Sequence, residues 1–301
     1  VADDHSSETQ TPHVIVPELA LLAPLPKHLQ DRFAKALNIM HSEQGLVLNW
    51  QQIAEQSAIS PAHFHRQFKA LFHETPGRYL ARQQLCKAVI QLFQAPERSI
   101  TEIALDCGFS SSQALAKAVK RELGKTAKEL RLMASTATPA QTTDIIKKLS
   151  QPAEQDTQEI RLASQMSLHK QWFDQRSMKV LKVKEADWDY LSEHHWDELT
   201  RLRMQTPIRA LDKNWRNIKV IVGDTQAIKA SHNNVIPAGF YLCTEALIAT
   251  ATAYLTALET MFKLAEEQGY KIDYSGDLVE TVLTANEAHG LTFSFQIPLK
   301  P

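Results

Sequence analysis

One pattern is written twice between Ile53 and Arg131, and it constrains the fold more than any other feature of the chain. The first copy, Ile53 to Pro76, reads IAEQSAISPAHFHRQFKALFHETP; the second, Ile103 to Ala127, reads IALDCGFSSSQALAKAVKRELGKTA. Each opens with Ile-Ala in a short amphipathic run, turns at Ser60 or Ser110, and continues into a second helical run. Phe64, Phe68 and Phe72 recur at helical spacing, as do Leu115, Val119 and Leu123. That spacing buries one face of a helix and leaves the other free. The free faces carry Arg66 and Lys69 in copy one, Lys117 and Lys120 in copy two. Two short helices joined by a tight turn, with basic and small polar residues on the second, form the physical design of a helix-turn-helix.

The punctuation around the copies fits that reading. Pro26 opens a helix to about His41, with Leu29, Phe33, Ala36, Leu37 and Met40 inward. Asn49 caps Trp50 to Gln56, and Ser60-Pro61 caps and starts the next helix. Pro76-Gly77 is expected to break the chain before a linker helix, Arg78 to Phe93, with Leu85, Ala88, Val89 and Leu92 buried. Ser99 caps Ile100 to Cys107, Gly108-Phe109-Ser110 makes the second turn, and Gly124 ends the last helix. Ala58 stands in the first turn; a left-handed backbone there strains it by roughly 1 kcal/mol.

Two such units joined by a helix resemble the DNA-binding domain of the AraC/XylS family of transcription regulators. The resemblance rests on Ile53-Ala54, Ser60-Pro61, Arg66, Phe68-Lys69, Thr75-Pro76, Tyr79-Leu80, Arg82, Leu85, Ala88, Ile100, Glu102-Ile103-Ala104, Gly108-Phe109-Ser110, Lys120, Gly124, Thr126, Glu129 and Arg131. It covers about a third of the chain. The chain departs from the family at Ala58, where glycine is usual, at Gln84, where arginine is usual, and at Ala127, where proline is usual. Leu115 and Val119 replace bulky aromatics, so copy two is the more diverged.

Composition bounds the rest. The 301 residues suffice for two domains, and 44% hydrophobic with 22% charged residues is ordinary globular usage. The net charge is -1, yet between His41 and Met133 twelve Lys and Arg face eight Asp and Glu. A local basic excess on a neutral chain suits a DNA reader attached to something else. Cys86, Cys107 and Cys243 are far apart and match no metal spacing, so they read as reduced core residues of a cytoplasmic protein. His194-His195 beside Glu193 point different ways on a helix, so no metal is expected. No phosphate-cradling glycine loop appears, and no cofactor is expected. No basic leader precedes an apolar run, and no run is long enough to span a membrane, so neither a secretory signal nor a membrane partner is expected.

Four segments follow. Residues 1–25, polar and proline-bearing, read as an N-terminal arm without a stable helix; 26–134 form the double helix-turn-helix domain. Residues 135–177 read as a connector with some helix, Ile160 to Phe173 included. Residues 178–301 read as an α+β domain. There Lys179 to Glu185, Ile208 to Leu211 and Ile218 to Val222 look like strands, with Leu191 to Arg203 helical. The order recurs with Gly239 to Leu247, a helix from Thr252 to Gln268, Val279 to Leu283, and the alternating Leu291 to Ile297. Two strand-helix-strand-strand repeats make an antiparallel sheet with helices on one face and a groove on the other. The fold class is therefore multidomain: an all-α reader followed by an α+β domain. That half resembles the GyrI-like small-molecule-binding domain, through Ile236-Pro237-Ala238-Gly239-Phe240-Tyr241, Gly269-Tyr270, Gly276, Glu280 and Ile297-Pro298. The order of domains looks like that of the Rob subgroup of the AraC family.

Candidate DNA contacts follow from the outward faces. In copy one they are Ala62, His63, His65, Arg66 and Lys69; in copy two Ser111, Ser112, Gln113, Ala116, Lys117, Lys120 and Arg121. Arg66 matches guanine bidentately, Gln113 suits adenine, and Lys117 suits guanine or a phosphate. Lys69, Arg82, Lys120, Arg121 and Lys125 are expected on phosphates, which position without specifying. Two linked units would read major-groove segments about 34 Å apart. In the C-terminal half the resemblance implies that Glu280 faces a ligand groove. Trp188, Trp196, Trp215, Tyr241, Tyr254 and Phe293 are candidate walls, and a carboxylate among rings attracts an organic cation. The expected function is a non-enzymatic transcription regulator, an activator, whose partners are double-stranded DNA, a small-molecule effector and RNA polymerase. The alternatives are a ligand-hydrolysing C-terminal domain with Glu280 as general base, and a purely structural or partner-docking one.

Overall fold

The computed structural model describes residues 11–301 except 43, 44, 46, 47, 96, 215, 216, 287 and 288. In copy one, α3 (Trp50–Gln56) begins at an Asn49 capping box closed by Gln52, and α4 (Pro61–Phe72) follows the turn. In copy two, α6 (Ile100–Asp106) begins at a Ser99 box closed by Glu102, and α7 (Ser112–Leu123) follows. Each box satisfies two of the amides that a helix start leaves open. Ser60 makes no side-chain cap; Pro61 behind it lacks an amide hydrogen, and only Ser111 caps its helix, accepting from the Ala114 amide at 3.2 Å.

Between the copies runs α5 (Pro76–Gln94), which starts two residues earlier than expected. Pro76 and Gly77 lie inside it because Thr75 caps the helix, its Oγ1 accepting from the Arg78 amide. Before copy one, α1 (Pro17–Leu22) and α2 (Lys27–His41) pack on it, and α8 (Ala127–Thr136) follows copy two. The proline at Pro17, expected to oppose helix, sits at a first position that tolerates it. The Glu18 carboxylate accepts from the Tyr79 hydroxyl at 2.8 Å and ties α1 down.

The segment 135–177 is structured throughout. It holds α9 (Pro139–Lys147), α10 (Gln158–Ala163) and strand β2 (His169–Phe173). The helix expected over Ile160 to Phe173 therefore stops at Ala163; β2 is held by antiparallel pairing with a strand some seventy residues later.

The C-terminal half comprises β3 (Arg176–Val180), α11 (Trp188–His194), β4 (Leu202–Pro207), β5 (Ile221–Asp224), β6 (Asn234–Ile236), β7 (Gly239–Ile248), α12 (Ala251–Glu267), β8 (Asp277–Asn286) and β9 (Gly290–Pro298). Helix α11 ends eight residues before β4, a 3₁₀ turn intervening, because Leu202 onward pairs with β5 and β8. The strand expected at Ile208 to Leu211 is a 3₁₀ turn, Ile208–Ala210, after Pro207. The strand expected over Lys179 to Glu185 ends at Val180.

The sheet is mixed, not purely antiparallel: β1 (His13–Ile15), from the expected arm, pairs parallel with β7. Its main path runs β7-β9-β8-β4-β5-β3. Strands β2 and β3 pair with β7 and β6 in one continuous register, Phe173 facing Gly239 and Arg176 facing Ile236. Because β6 runs into β7, the pairings form a closed circuit, and the sheet has an outer and an inner face. Helices α11 and α12 cover the outer one, over Leu202, Met204, Leu242, Val282, Phe293, Phe295 and Ile297. The inner one holds Met178, Ile236, Tyr241, Cys243 and Val279.

Candidate nucleic-acid interface and cavity

Phe64, Phe68 and Phe72 of α4 are fully buried, and the Phe68 and Phe72 rings stack at 4.1 Å. Burial of each is worth about 1.5–3 kcal/mol. It also fixes which way the rest of α4 points. Ala62, Arg66 and Lys69 stand exposed; His63 and His65 are half-buried, and the His65 ring lies 5.3 Å from that of Trp50. On α7, buried Leu115, Val119 and Leu123 do the same job and leave Gln113, Ala116, Lys117, Lys120 and Arg121 exposed.

The cations are not equivalent. Arg66, Lys69 and Lys117 have no hydrogen-bond or ion-pair partner among the described residues. Lys120 Nζ donates to the Gly124 carbonyl at 3.0 Å, and Arg121 Nε to Glu122 at 2.6 Å. Ser111 is committed to its cap, while Ser112 is half-buried in the first turn. Helix α5 spans nineteen residues, so the spacer between the units is roughly 28 Å long.

Arg82, expected on a phosphate, is turned inward instead. Its Nε and Nη2 donate to Glu74 Oε1 at 3.0 and 2.7 Å, Nη1 to the Leu149 carbonyl, and Nη2 also to Gln151. The burial of Glu74, 4% exposed, decides this: an isolated carboxylate there would be costly, and Arg82 neutralises it. Gln151 Nε2 donates to the Phe72 carbonyl at the end of α4, and its amide to Glu159. Glu159 in turn accepts from Thr252 of α12 at 3.0 Å. A buried polar bridge thus joins α4 to α12. Burial raises the Glu159 pKa against the opposing pull of its hydrogen bonds.

A cavity of about 1170 Å³ lies between α11, α12 and the sheet on one side and α5, α8 and α9 on the other. It is on the helix-bearing face, not the opposite one as expected. Strand alternation explains this: Glu280 and Phe293 have the parity of Val282 and Phe295, which face the helices. Trp188, Trp196, Tyr254, Phe293 and Glu280 all line it. Tyr241 does not; it points to the inner face, its hydroxyl donating to the Pro237 carbonyl. Trp215 lies outside the described residues.

Glu280 is 1% exposed, and its Oε1 accepts from the Tyr254 hydroxyl at 2.5 Å. Burial pushes its pKa up to about 7, against the opposing pull of Tyr254 and then of the Trp188 indole. The Trp188 nitrogen, although near, falls outside hydrogen-bond geometry. The Phe293 ring meets those of Trp188 and Tyr254 edge-on at 5.5 and 5.6 Å. Sequence reasoning missed several contributors. Asp187 and Asp189 flank the start of α11, and the cavity wall carries five carboxylates against Lys184 and Lys219. Ile90, Phe93 and Gln94 of α5 also reach it, and Gln94 donates to Asp189 at 3.4 Å. Nothing in the local pattern of α5 announces that contact.

Among the described residues, no group of three or more His, Cys, Asp and Glu side chains is placed to hold a metal ion. His194 stacks on Tyr190 and His195 bonds to Glu198. No helix of the described residues is long and apolar enough to cross a membrane.

With this geometry in hand, residues 53–133 match the family described as "Helix-turn-helix domain". Residues 53–133 thus form a helix-turn-helix domain. Over 103 residues it is 36% identical to the HTH-type transcriptional activator RhaS of Escherichia fergusonii, which is 34% of this chain and 33% of that one. The chain thus spans about a third of the length of the curated relatives it matches. A solved transcriptional regulator with an AraC-type DNA-binding domain, from Chromobacterium violaceum, is 27% identical and covers 38% of this chain and 99% of its own, with a TM-score of 0.33. The structure of SAV2435 bound to tetraphenylphosphonium is 13% identical, covers 45% of this chain and 94% of its own, and has a TM-score of 0.32.

Proposed function

We propose that this protein is a sequence-specific DNA-binding transcription regulator of the AraC/XylS type. One observation carries the reading. On each of the two second helices, at the ends of a rigid spacer, a cation stands exposed and unpartnered: Arg66 on α4 and Lys117 on α7. Exposed guanidinium and ammonium groups held on a helix that fits the major groove suit base edges and phosphates. Mapping bound DNA across the genome supplies a site. Fluorescence anisotropy on that site then compares the protein with Arg66→Ala, which should lose at least about fivefold in affinity. An unchanged affinity, or no enriched site, removes the reading.

The C-terminal domain, on this proposal, is GyrI-like and binds a small cationic, amphipathic effector. Strands β3–β5 and β7–β9 read as two strand-helix-strand-strand units, each with its last strand in the middle, joined where β4 meets β8. The support for a cation is the aromatic cavity with Glu280 at its floor and the surplus of carboxylates on its wall. A cation needs Glu280 ionised, so its affinity should rise as pH passes from about 6 to 8 through the Glu280 pKa of about 7. Calorimetry with a hydrophobic aromatic ammonium ion and a neutral isostere tests this. Glu280→Gln should weaken the cation alone and abolish the pH dependence; equal loss for both ligands assigns Glu280 to packing. Turnover of the compound would instead favour a hydrolase. Because α5 lines the cavity, an effector there touches the spacer that sets the two reading helices, which is how it would bias RNA polymerase recruitment.

A further inference from the structure

The inner face of the curled sheet carries chemistry that neither DNA reading nor the cavity uses. Strand parity places Arg176, Arg203, Gln205, Thr281, Ser294 and Gln296 on it. Part of this set is internally paired. Asn234 donates to Gln205, and Gln205 Nε2 to Asp277 at 3.3 Å. Arg176 Nη1 donates to Gln296 Oε1 at 2.7 Å, and Gln296 Nε2 to Ser294 at 3.2 Å.

The guanidiniums are left over. Nε and Nη2 of Arg176 and Nε of Arg203 are shut away from water and have no acceptor among the described residues; Thr281 Oγ1 is in the same state. Neither arginine forms an ion pair among the described residues, and the one carboxylate the network reaches, Asp277, is engaged by Gln205. The Phe173 and Tyr241 rings lie 4.1 and 5.2 Å from the Arg176 guanidinium, and the Tyr241 hydroxyl, although near, falls outside hydrogen-bond geometry. The two arginines are close enough that, after burial, the charge of Arg176 lowers the Arg203 pKa. Asp277 and Glu245 share this face by parity, but neither forms an ion pair with the two arginines among the described residues, so the shielded donors stay unsatisfied. Arginine forks fit oxyanions bidentately.

We propose that this inner face binds a small oxyanion, a carboxylate or phosphate group, between Arg176 and Arg203, with Thr281 as a further donor. Such a ligand would occupy the face opposite Glu280, so a cationic effector and an anion would bind on either side of one sheet. The proposal does not rest on the effector reading, and either can fail alone.

The test is thermal unfolding of the full chain in sodium phosphate, sodium acetate and sodium chloride at matched ionic strength. Phosphate or acetate, whichever chemistry the site takes, should raise Tm saturably by roughly 3 °C over chloride. Arg203→Met and Arg176→Met should each abolish the rise, and Arg203→Lys should retain only part of it. Both Met variants remove an unpaired charge, so they are expected to fold, which circular dichroism checks. A rise that differs between phosphate and acetate identifies the ligand class. No rise over chloride, or a rise that survives in both Met variants, overturns the proposal.

Discussion

The two helix-turn-helix copies have nearly the same backbone and different interiors. In both, the turn residue donates to the carbonyl three back, Ala58 to Glu55 and Gly108 to Leu105, and the next residue to the carbonyl five back, Ile59 to Ala54 and Phe109 to Ala104. Copy one achieves this around an aromatic cluster of Phe33, Phe64, Phe68, Phe72 and Tyr79, whose neighbouring rings lie 4.1 to 5.6 Å apart. Copy two uses Leu85, Leu115, Val119, Leu123 and Leu130. Copy one places non-glycine residues at both left-handed positions, Ala58 and His73 with φ of 56° each, where copy two has Gly108 and Gly124. Copy one is also anchored to the rest of the protein by the Arg82 bridge. The comparison teaches that the motif is set by hydrogen-bond geometry, and that core packing can offset local strain.

Truncating the cores tests that inference most severely. Phe68→Ala should cost about 3–5 kcal/mol in urea unfolding, and Leu115→Ala about 2–4 kcal/mol. If the aromatic core compensates for strained turns, copy one should lose more. A larger loss at Leu115 would mean that strain and packing are unrelated in the two copies. Next comes the bridge. Arg82→Ala strands the Glu74 carboxylate and should cost about 3 kcal/mol, with part recovered in Glu74→Gln/Arg82→Ala. No recovery in the double variant would show that Arg82 acts through Leu149 and Gln151 instead.

At the reading faces the expected difference is smaller. Arg66→Ala should weaken specific DNA binding by about 1–3 kcal/mol, and Lys117→Ala by about 1 kcal/mol. If Lys117 only meets a phosphate, its loss should be uniform across sequences and reduce the salt slope by about one. Equal, sequence-dependent losses would make the copies equal readers.

How much of this the sequence announces follows from how far each cause lies from its residue. The α3, α4, α6 and α7 helices are legible because their caps and buried stripes are separated by three or four positions. Ala58 is legible as strained because the turn is local. Arg82 is not: its partner Glu74 is eight positions away, but Gln151 and the Leu149 carbonyl come from a segment whose structure depends on α12. The strand in the connector is not legible for the same reason, since β2 is a strand only beside β7. Tyr241 was misplaced by a single step of parity, which a short motif does not fix but the β7–β9 register does. The resemblance points to Glu280; Asp187, Asp189 and the α5 side of the cavity, assembled from distant elements, carry no such local signal.

The smallest effect separates the two copies most directly. Ala58 is exposed at φ 56°, and its carbonyl accepts from Arg32 Nη1 at 3.1 Å. A methyl group in the left-handed region costs about 1–2 kcal/mol, whereas glycine there costs about 0.5–1 kcal/mol in unfolded-chain entropy. Ala58→Gly should therefore stabilise the protein by roughly 0.5 kcal/mol, and Gly108→Ala should destabilise it by about 1 kcal/mol. Both are read as shifts of the urea midpoint at constant slope. The two changes exchange the turn residues without touching either core. If Ala58→Gly is destabilising instead, the exposed methyl holds the turn in a way glycine cannot, and copy one was never strained there. The left-handed backbone at His73 would then be the one strained position left for the aromatic cluster to offset, and the difference between the two cores would need a further cause.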